Sequence, residues 1–401
     1  MEKKHILIGV TGGIAAYKAC DLVSTLSKNK NYEIKVMMTK HATEFVSPMS
    51  FEALSHNKVE TSLFSETNED PIAHISLASW ADICVLVPAT ANIIAKVVNG
   101  IADDMVSTTF LACHTKKMIC PAMNTHMYEN PVTQQNLQKA IDLGYVIVDP
   151  AYGHLACNVD GKGKLAAVKD IVFAIDKELS DPFLKGKNVL ISAGPTQEAL
   201  DPVRFISNHS SGKQGYSIAR QAYLAGANVT IVSGPVNQEP IEGVTIVPAT
   251  SAQSMFEAIK ERLEETDYII MAAAVADYRP EIVADQKIKK HDNTLDVHFV
   301  KNPDILAYIG QKKRPNQIVC GFAMETQDLD KNAKEKLEKK NCDMLIANNL
   351  FVEGAGFKTD TNVVTLIRKN SLEHLPKLTK IELGLKILKT MKEIEEEVVS
   401  C

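Results

Sequence analysis

Apolar residues in this chain fall mostly into short unbroken runs, separated by glycine- and proline-marked turns and by longer stretches where they recur every three or four positions. Runs at 5–10, 33–38, 81–87 and 117–120 predict buried strands of a parallel sheet, and the periodic stretch at 14–27 predicts a helix packed on it. A second series follows: strands at 188–192, 228–233 and 267–274, helices at 216–225 and 251–266. This alternation predicts an α/β fold of two Rossmann-like three-layer domains with mostly parallel sheets. A helix at 170–179 closes the first half, and the polar, Pro- and Gly-containing stretch 180–187 reads as a boundary. The expected domains are 1–182 and 183–401.

Composition narrows the function classes. A length of 401 residues exceeds what one core usually supports, in keeping with two domains. The net charge of −5 provides no basic field for general nucleic-acid binding. No apolar run approaches the ~20 residues of a membrane span, and the N-terminus leads into a strand pattern rather than a signal peptide. The eight cysteines include no Cys-x-x-Cys pair, which suggests reduced thiols, mostly core fillers, in a cytoplasmic protein.

Candidate chemistry sits in the turns. Ser210, Ser211, Gly212 and Lys213 lie between a predicted strand and helix, where small residues and a helix N-terminus suit a phosphate. The same pattern also makes an ordinary helix cap. Gly12 and Gly13 follow the first strand, but there is no Gly-x-Gly-x-x-Gly fingerprint. The next strand ends in Thr39-Lys40, without the acid that reads a ribose, so an NAD-dependent reductase with tandem Rossmann domains is disfavoured. His74 stands near the lone Trp80, and a lone histidine is usually solvated or structural. Met123 and Asn124 follow a strand, as core plus turn or as part of a site. Cys157 lies in a glycine-rich loop, an unusual place for an inert thiol.

In the second half, small alanines at a strand end would let a flat base approach. Asp277 either meets a magnesium-bound nucleotide or forms a turn. Lys287 and Lys289 would share one face of a strand, toward a triphosphate or toward solvent. Lys336 and Lys340 share a helix face by spacing. Residues 354–362 read as a flap.

Four ordered motifs carry a resemblance over residues 5–170: His74-Ile75-x-Leu77-Ala78-x-Trp80-Ala81-Asp82, Pro88-Ala89-Thr90-Ala91-Asn92, Gly100-Ile101-Ala102-Asp103-Asp104 and Pro121-Ala122-Met123-Asn124. This half resembles the homo-oligomeric flavin-containing cysteine decarboxylases, and among them phosphopantothenoylcysteine decarboxylase. The resemblance implies a flavodoxin-like domain with flavin mononucleotide (FMN) cradled by Gly12, Gly13, Thr39, Ala89, Thr90 and Ser107, in a site formed between subunits of at least a trimer. Decarboxylation of a cysteinyl group needs an electron sink, which oxidation of the thiol-bearing carbon to a thioaldehyde would provide. The resemblance implies that His74 is base or orienter in that oxidation, Asn124 holds the carboxylate and Cys157 donates a proton from a mobile loop. Lys164 stands where the family usually has Arg, and Tyr128 where it has Trp.

Residues 186–395 resemble phosphopantothenate–cysteine ligase of the bacterial type that uses cytidine triphosphate (CTP), most specifically through Ser207-Asn208-His209-Ser210-Ser211-Gly212-Lys213. The resemblance implies that Asn208 helps turn over an acyl-cytidylate and that Lys287 and Asp277 act in nucleotide activation. It also implies a nucleotide site lined by Met271, Ala272, Ala273, Pro303, Asp304, Ile305, Leu306, Phe322, Lys336 and Lys340, beside the Ser210, Ser211 and Gly212 loop. Magnesium would accompany the triphosphate. Together the halves imply a bifunctional coenzyme A biosynthesis enzyme acting on small molecules, a homo-oligomer of trimeric flavin domains and dimeric ligase domains that could build a dodecamer. A rival reading makes the flavin half a regulatory subunit, which the joint presence of His74, Asn124 and Cys157 disfavours.

Overall fold

The computed structural model describes residues 3–64, 70, 72–155, 160–289, 295–325, 329–349 and 359–399. The chain divides into two compact units, Met1–Ser180 and Asp181–Cys401.

The sheet of the first unit contains β1 (Lys4–Val10), β2 (Tyr32–Met38), β3 (Val59–Glu60), β4 (Ile83–Ala89), β5 (Lys116–Pro121) and β6 (Val146–Ile147). All pairings are parallel, in the order β3-β2-β1-β4-β5-β6. The helices are α1 (Ala16–Ser27), α2 (Pro48–Ser55), α3 (Ala73–Trp80), α4 (Ala91–Val98), α5 (Met105–Ala112), α6 (Thr125–Glu129), α7 (Pro131–Asp142) and α8 (Val168–Leu179). Side-chain alternation along the strands creates two cores. Ile6, Ile8 and Val10 face α1, α2 and α8, whereas Leu7, Cys84 and Leu86 face α3, α4, α5 and α7. Strand runs apolar at every position are therefore explained by burial on both faces. An antiparallel hairpin, β7 (Ala151–His154) with β8 (Asp160–Lys164), stands apart from the sheet.

The second unit contains β9 (Asn188–Ala193), β10 (Gln197–Ala199), β11 (Phe205–Ser207), β12 (Asn228–Ser233), β13 (Thr245–Pro248), β14 (Tyr268–Met271), β15 (Tyr278–Pro280), β16 (Phe299–Lys301), β17 (Ile318–Glu325), β18 (Met344–Asn349), β19 (Thr361–Asn362), β20 (Val364–Arg368), β21 (Ser371–His374) and β22 (Leu378–Thr379). Its main sheet runs β13-β12-β9-β14-β17-β18-β20-β21, parallel except for the last two strands. The helices are α9 (Lys213–Leu224), α10 (Ala252–Lys260), α11 (Ile305–Lys312), α12 (Leu329–Lys339) and α13 (Lys380–Val399). Helices α9 and α13 pack on one face through Ile218, Leu383 and Ile387; α10, α11 and α12 pack on the other through Met255, Ile309 and Leu337.

The α/β class and the parallel sheets match the sequence expectation, with local differences. The helix expected over 251–266 ends at Lys260, and the strand expected over 267–274 ends at Met271. Beyond Met271 the alanines still bond to the chain that continues β9, Ala272 N donating to Ser192 O at 3.3 Å and Ala274 N to Gly194 O at 2.9 Å, while side chains take the amides between and after them: Ser192 Oγ accepts from Ala273 N at 3.1 Å and Thr196 Oγ1 from Ala276 N at 3.0 Å.

Candidate functional sites

In the first unit, the chain leaves β1 toward β2 and returns to place β4 on the other side, so the C-terminal ends of β1 and β4 border a crevice where such folds bind ligands. Thr11 fixes its floor: its hydroxyl donates to Pro88 O at 2.7 Å and accepts from Thr90 N at 3.2 Å. Thr90 in turn caps α4, accepting from Ile93 N at 3.3 Å. A cavity of about 580 Å³ opens there, with Gly12, Gly13, Thr90 and Asn124 in its wall. A Cβ on Gly12 would stand 2.5 Å from His41 Cβ, so the turn requires glycine. Asn124 starts α6 and accepts from His126 N at 2.9 Å.

The opposite wall comes from the hairpin, through His154, Leu155, Gly163 and Lys164. Strand β8 docks on the loop after β5 backbone to backbone, with Met123 N donating to Gly163 O at 2.9 Å. A Cβ on Gly163, whose φ is +142°, would meet Met123 O at 2.4 Å. Lys18, on the first turn of α1, also faces the cavity, and burial followed by the charge of Lys164 lowers its ammonium below the usual lysine range. Two cations thus share a mostly apolar chamber. Sequence reading missed Lys18; the signal was a lysine in the first turn of a helix, against the dipole.

The remaining expected residues of this unit are not among those that line the cavity. Thr39 follows β2 and its hydroxyl accepts from Ala42 N at 3.2 Å. Ala89 is buried at the end of β4. Ser107 is buried in a reciprocal cap with Asp104, with Ser107 N donating to Asp104 Oδ1 at 2.8 Å. His74 lies half-buried on α3, away from the cavity wall. Cys157 falls outside the described residues, between the two hairpin strands that line the cavity. The six described cysteines are free thiols, five of them buried.

In the second unit the equivalent crevice lies between β9 and β14. A cavity of about 510 Å³ there brings together Asn208, Ser210, Ser211, Gly212, Ala272, Ala273, Asp277, Phe322 and Lys336. Asn208 is held by its amide, which donates to Ala274 O at 3.3 Å and Val275 O at 3.1 Å. Gly212 opens α9 in the left-handed conformation (φ +73°) with no side-chain cap, so the serines before it do not cap the helix.

Met271 is buried in the core, and Pro303, Asp304, Ile305 and Leu306 lie at the start of α11, outside this wall. Asp304 caps α11 by accepting from Ala307 N at 3.0 Å and pairs with Lys340. Burial works against its ionisation, yet Lys340, the Ala307 amide and Lys336 hold its carboxyl below the usual range. Lys287 and Lys289 are exposed on an irregular segment, not a strand. The buried Asp201 and its partner Arg204 take the backbone groups a neighbouring strand would need: Ile288 N donates to Asp201 Oδ2 at 3.1 Å, and Arg204 Nη2 donates to Ile288 O at 2.8 Å.

Sequence reading did not assign Lys380, which lies in the wall together with Asn362, the last residue of the expected flap. Of the expected flap, 354–358 lie outside the described residues, and Asn362 belongs to β19. Among the described residues no group of three or more His, Cys, Asp or Glu could hold a metal ion, and no helix is long and apolar enough to cross a membrane.

Comparison with known proteins covers both units. The family described as "Flavoprotein" matches residues 1–180, and "DNA/pantothenate metabolism flavoprotein C-terminal domain" matches residues 184–394. The chain is similar to the coenzyme A biosynthesis bifunctional protein CoaBC of Bacillus subtilis, 43% identical over 99% of this chain and 98% of that one. It is also similar to CoaBC of Haemophilus influenzae, 43% identical over 96% of each chain. A solved structure of the C-terminal domain of CoaBC is 40% identical, covers 54% of this chain and 100% of that one, and superposes with a TM-score of 0.47. Near-complete coverage at this identity, with one family match in each unit, places the chain in the family of bifunctional coenzyme A biosynthesis proteins CoaBC.

Proposed function

We propose that the second unit joins 4′-phosphopantothenate to cysteine with CTP, through an acyl-cytidylate, and that the first unit decarboxylates the resulting 4′-phosphopantothenoylcysteine to 4′-phosphopantetheine with FMN. The observation that carries this reading is the presence, at the same switch point of each sheet, of a cavity whose wall gathers that half's own motif residues.

The first cavity fits a flavin. Its volume suits a small cofactor, Gly12 leaves backbone where a side chain would clash, and Pro88, Ala122 and Met123 offer flat apolar surface. Bound FMN supplies a two-electron acceptor that makes the thiol-bearing carbon an electron sink for loss of carbon dioxide. Asn124 holds the substrate carboxylate, with Lys18 and Lys164 supplying positive charge close by. The hairpin screens the chamber from water, and Cys157 delivers the proton. His74, which does not line this cavity, acts in the site of a second copy, so this unit works as a homo-oligomer.

In the second unit a carboxylate is made reactive by joining it to CMP with release of pyrophosphate, and the cysteine amine then attacks the mixed anhydride. Magnesium enters on the CTP phosphates, with Asp277 as the carboxylate in the described wall. Lys336 offsets phosphate charge and Asn208 orients the acyl-cytidylate. Lys287 reaches a site only in a dimer. The exposed apolar residues Phe205, Ile206, Tyr278 and Phe299 on the β10–β11 and β15–β16 ribbons are the surface a second copy would cover.

Incubation with 4′-phosphopantothenate, cysteine, CTP and magnesium is expected to release pyrophosphate and then carbon dioxide. Cys157→Ser is expected to abolish carbon dioxide release while pyrophosphate and the cysteinyl intermediate still form. Absence of pyrophosphate from the wild-type reaction rejects the ligase assignment.

A further inference from the structure

The first cavity opens at the C-terminal ends of β4 and β5, and two cysteines meet near the other ends. Cys84 is the second residue of β4 and fully buried. Cys113 follows the last turn of α5, 3% exposed, with its N–H donating to Thr109 O at 3.0 Å. Both belong to the core between the sheet and α3, α4, α5 and α7, and the Cys84 thiol donates a hydrogen bond to the Cys113 sulfur. Lys117 completes the cluster. It stands opposite Cys84 in the β4–β5 register, so its side chain leaves the sheet on the same face. Its ammonium is held 5.2 Å from the centre of the Phe110 ring and 5.3 Å from that of Tyr145, two rings packed edge to face. Neither cysteine lines the first cavity.

This setting separates Cys113 from the other described thiols. Burial raises Cys20, Cys84, Cys120, Cys320 and Cys342 above the usual thiol range, as core fillers should be. Cys113 is lowered instead: the hydrogen bond from Cys84 favours its thiolate, burial opposes it, and the charge of Lys117 adds to the first effect. A thiolate beside a cation, with a second thiol in contact, is the arrangement of a reactive cysteine and its resolving partner. The approach from solvent is shortest at Cys113, because Leu111, His114 and Lys116 around it in the chain are exposed.

We infer that Cys113 and Cys84 form a reversible thiol–disulfide couple in the first unit, a site of oxidation by hydroperoxides. The Cys113 thiolate attacks the hydroperoxide; the O–O bond breaks, Cys113 becomes a sulfenic acid, and the other oxygen leaves and takes up a proton as alcohol or water. The Cys84 sulfur gives up its proton and attacks the sulfenic sulfur. The S–S bond then forms, the S–O bond breaks and water leaves, so two thiols supply the electron pair that reduces the peroxide. A small thiol restores the pair by exchange. Cys84 sits within a strand bonded on both sides, so the approach of the two sulfurs falls to Cys113 at its helix end. The new bond would brace β4 against α5, the elements that lead to Thr90 and to the Asp104–Ser107 cap.

The test is peptide mapping of the full-length protein, reduced, freed of reductant, exposed to hydrogen peroxide, blocked with iodoacetamide and cleaved with trypsin. Cys84 and Cys113 fall in the tryptic peptides 59–96 and 97–116. The expected product joins these two peptides, is two hydrogens lighter than their sum, and disappears on adding dithiothreitol. Cys113→Ser should abolish it and leave Cys84 a free thiol, whereas Cys84→Ser should drive Cys113 on to the sulfinic acid for want of a resolving thiol. Lys117→Met should slow loss of the Cys113 thiol by about threefold or more. The map is repeated on Cys157→Ser, and a joined species that vanishes there needs the loop thiol and overturns the inference. So does a wild-type Cys113 that stays free while Cys20 is oxidised, or one that reaches the sulfinic acid with no joined peptide. The decisive species is read on the wild-type protein, so the decision stands even where a variant does not fold.

Discussion

The two units place a cavity at the same point of a similar sheet and line it with different chemistry. Beside β1 and β4 the wall is largely apolar, with glycines against the backbone and Lys18 and Lys164 as its cations. Beside β9 and β14 it carries three lysines, two serines and the amides of Asn208, Asn348 and Asn362. The first suits a flat ring system whose charge is confined to one end; the second suits multiply charged phosphates. The sheet determines where a ligand goes, and the loops decide which one.

The sharpest way to break this contrast is to alter one cavity and watch both. Gly163→Val forces a side chain toward Met123 O and should displace the hairpin. The protein is expected to lose flavin affinity by about tenfold or more, seen as loss of yellow colour on gel filtration, while pyrophosphate release is unchanged. A parallel loss of both activities would mean that the units do not act independently.

A smaller effect is expected from the anchor of α13. Glu395 accepts from Lys187 Nζ at 2.5 Å, Lys392 Nζ at 2.8 Å and Tyr268 Oη at 2.8 Å. Burial opposes its ionisation, but Lys187, Lys392 and Tyr268 together hold the carboxyl down to about 2. Because the folded value is depressed, its stabilisation is complete above the ordinary value of 4.5 and is lost as pH falls from there through about 2. Glu395→Gln should lower unfolding stability of the second unit by about 1–3 kcal/mol at neutral pH. Chemical denaturation should register this loss, with flavin retention unaffected.

The smallest effect has the opposite sign. Without substrates, Lys380→Met should raise the melting temperature at pH 7 by about 2–4 °C, because a charge strained by burial is removed. The folded ammonium titrates at about 8 against 10.5 for an ordinary lysine, so the wild-type penalty is full below about 8 and fades as pH rises toward 10.5. Scanning calorimetry across that range should show the advantage of the variant shrinking.

Much of this was legible in the chain. Apolar strand runs and intervening helical periods revealed the α/β class because strands buried on both faces cannot alternate in polarity. Gly12, Gly13, Thr90, Asn124, Asn208 and the Ser210–Gly212 turn were visible because ligand loops sit at strand ends. Lys380 was not, since it lies more than 160 residues from Lys213 in sequence and reaches the cavity only when α13 packs beside α9. Lys287 was visible as a residue but misplaced as a strand member, because Asp201, far away in sequence, claims the backbone of its neighbour Ile288. Met271, expected from its motif position to line the nucleotide site, has its side chain packed in the core, because alternation along β14 turns it there.

Strand β8 carries one more lesson. Gly161 and Gly163 are buried on one of its faces, with Lys162 and Lys164 on the other. A Cβ at 161 would meet Thr125 Oγ1 at 2.3 Å, and one at 163 would meet Met123 O at 2.4 Å. Sliding the strand by one residue would drive Lys162 and Lys164, or Asp160 and Lys162, into the two positions, so the base of the hairpin fits its socket in a single alignment, like a key. The two glycines thus act as a register lock that keeps the base of the hairpin in the wall of the cavity.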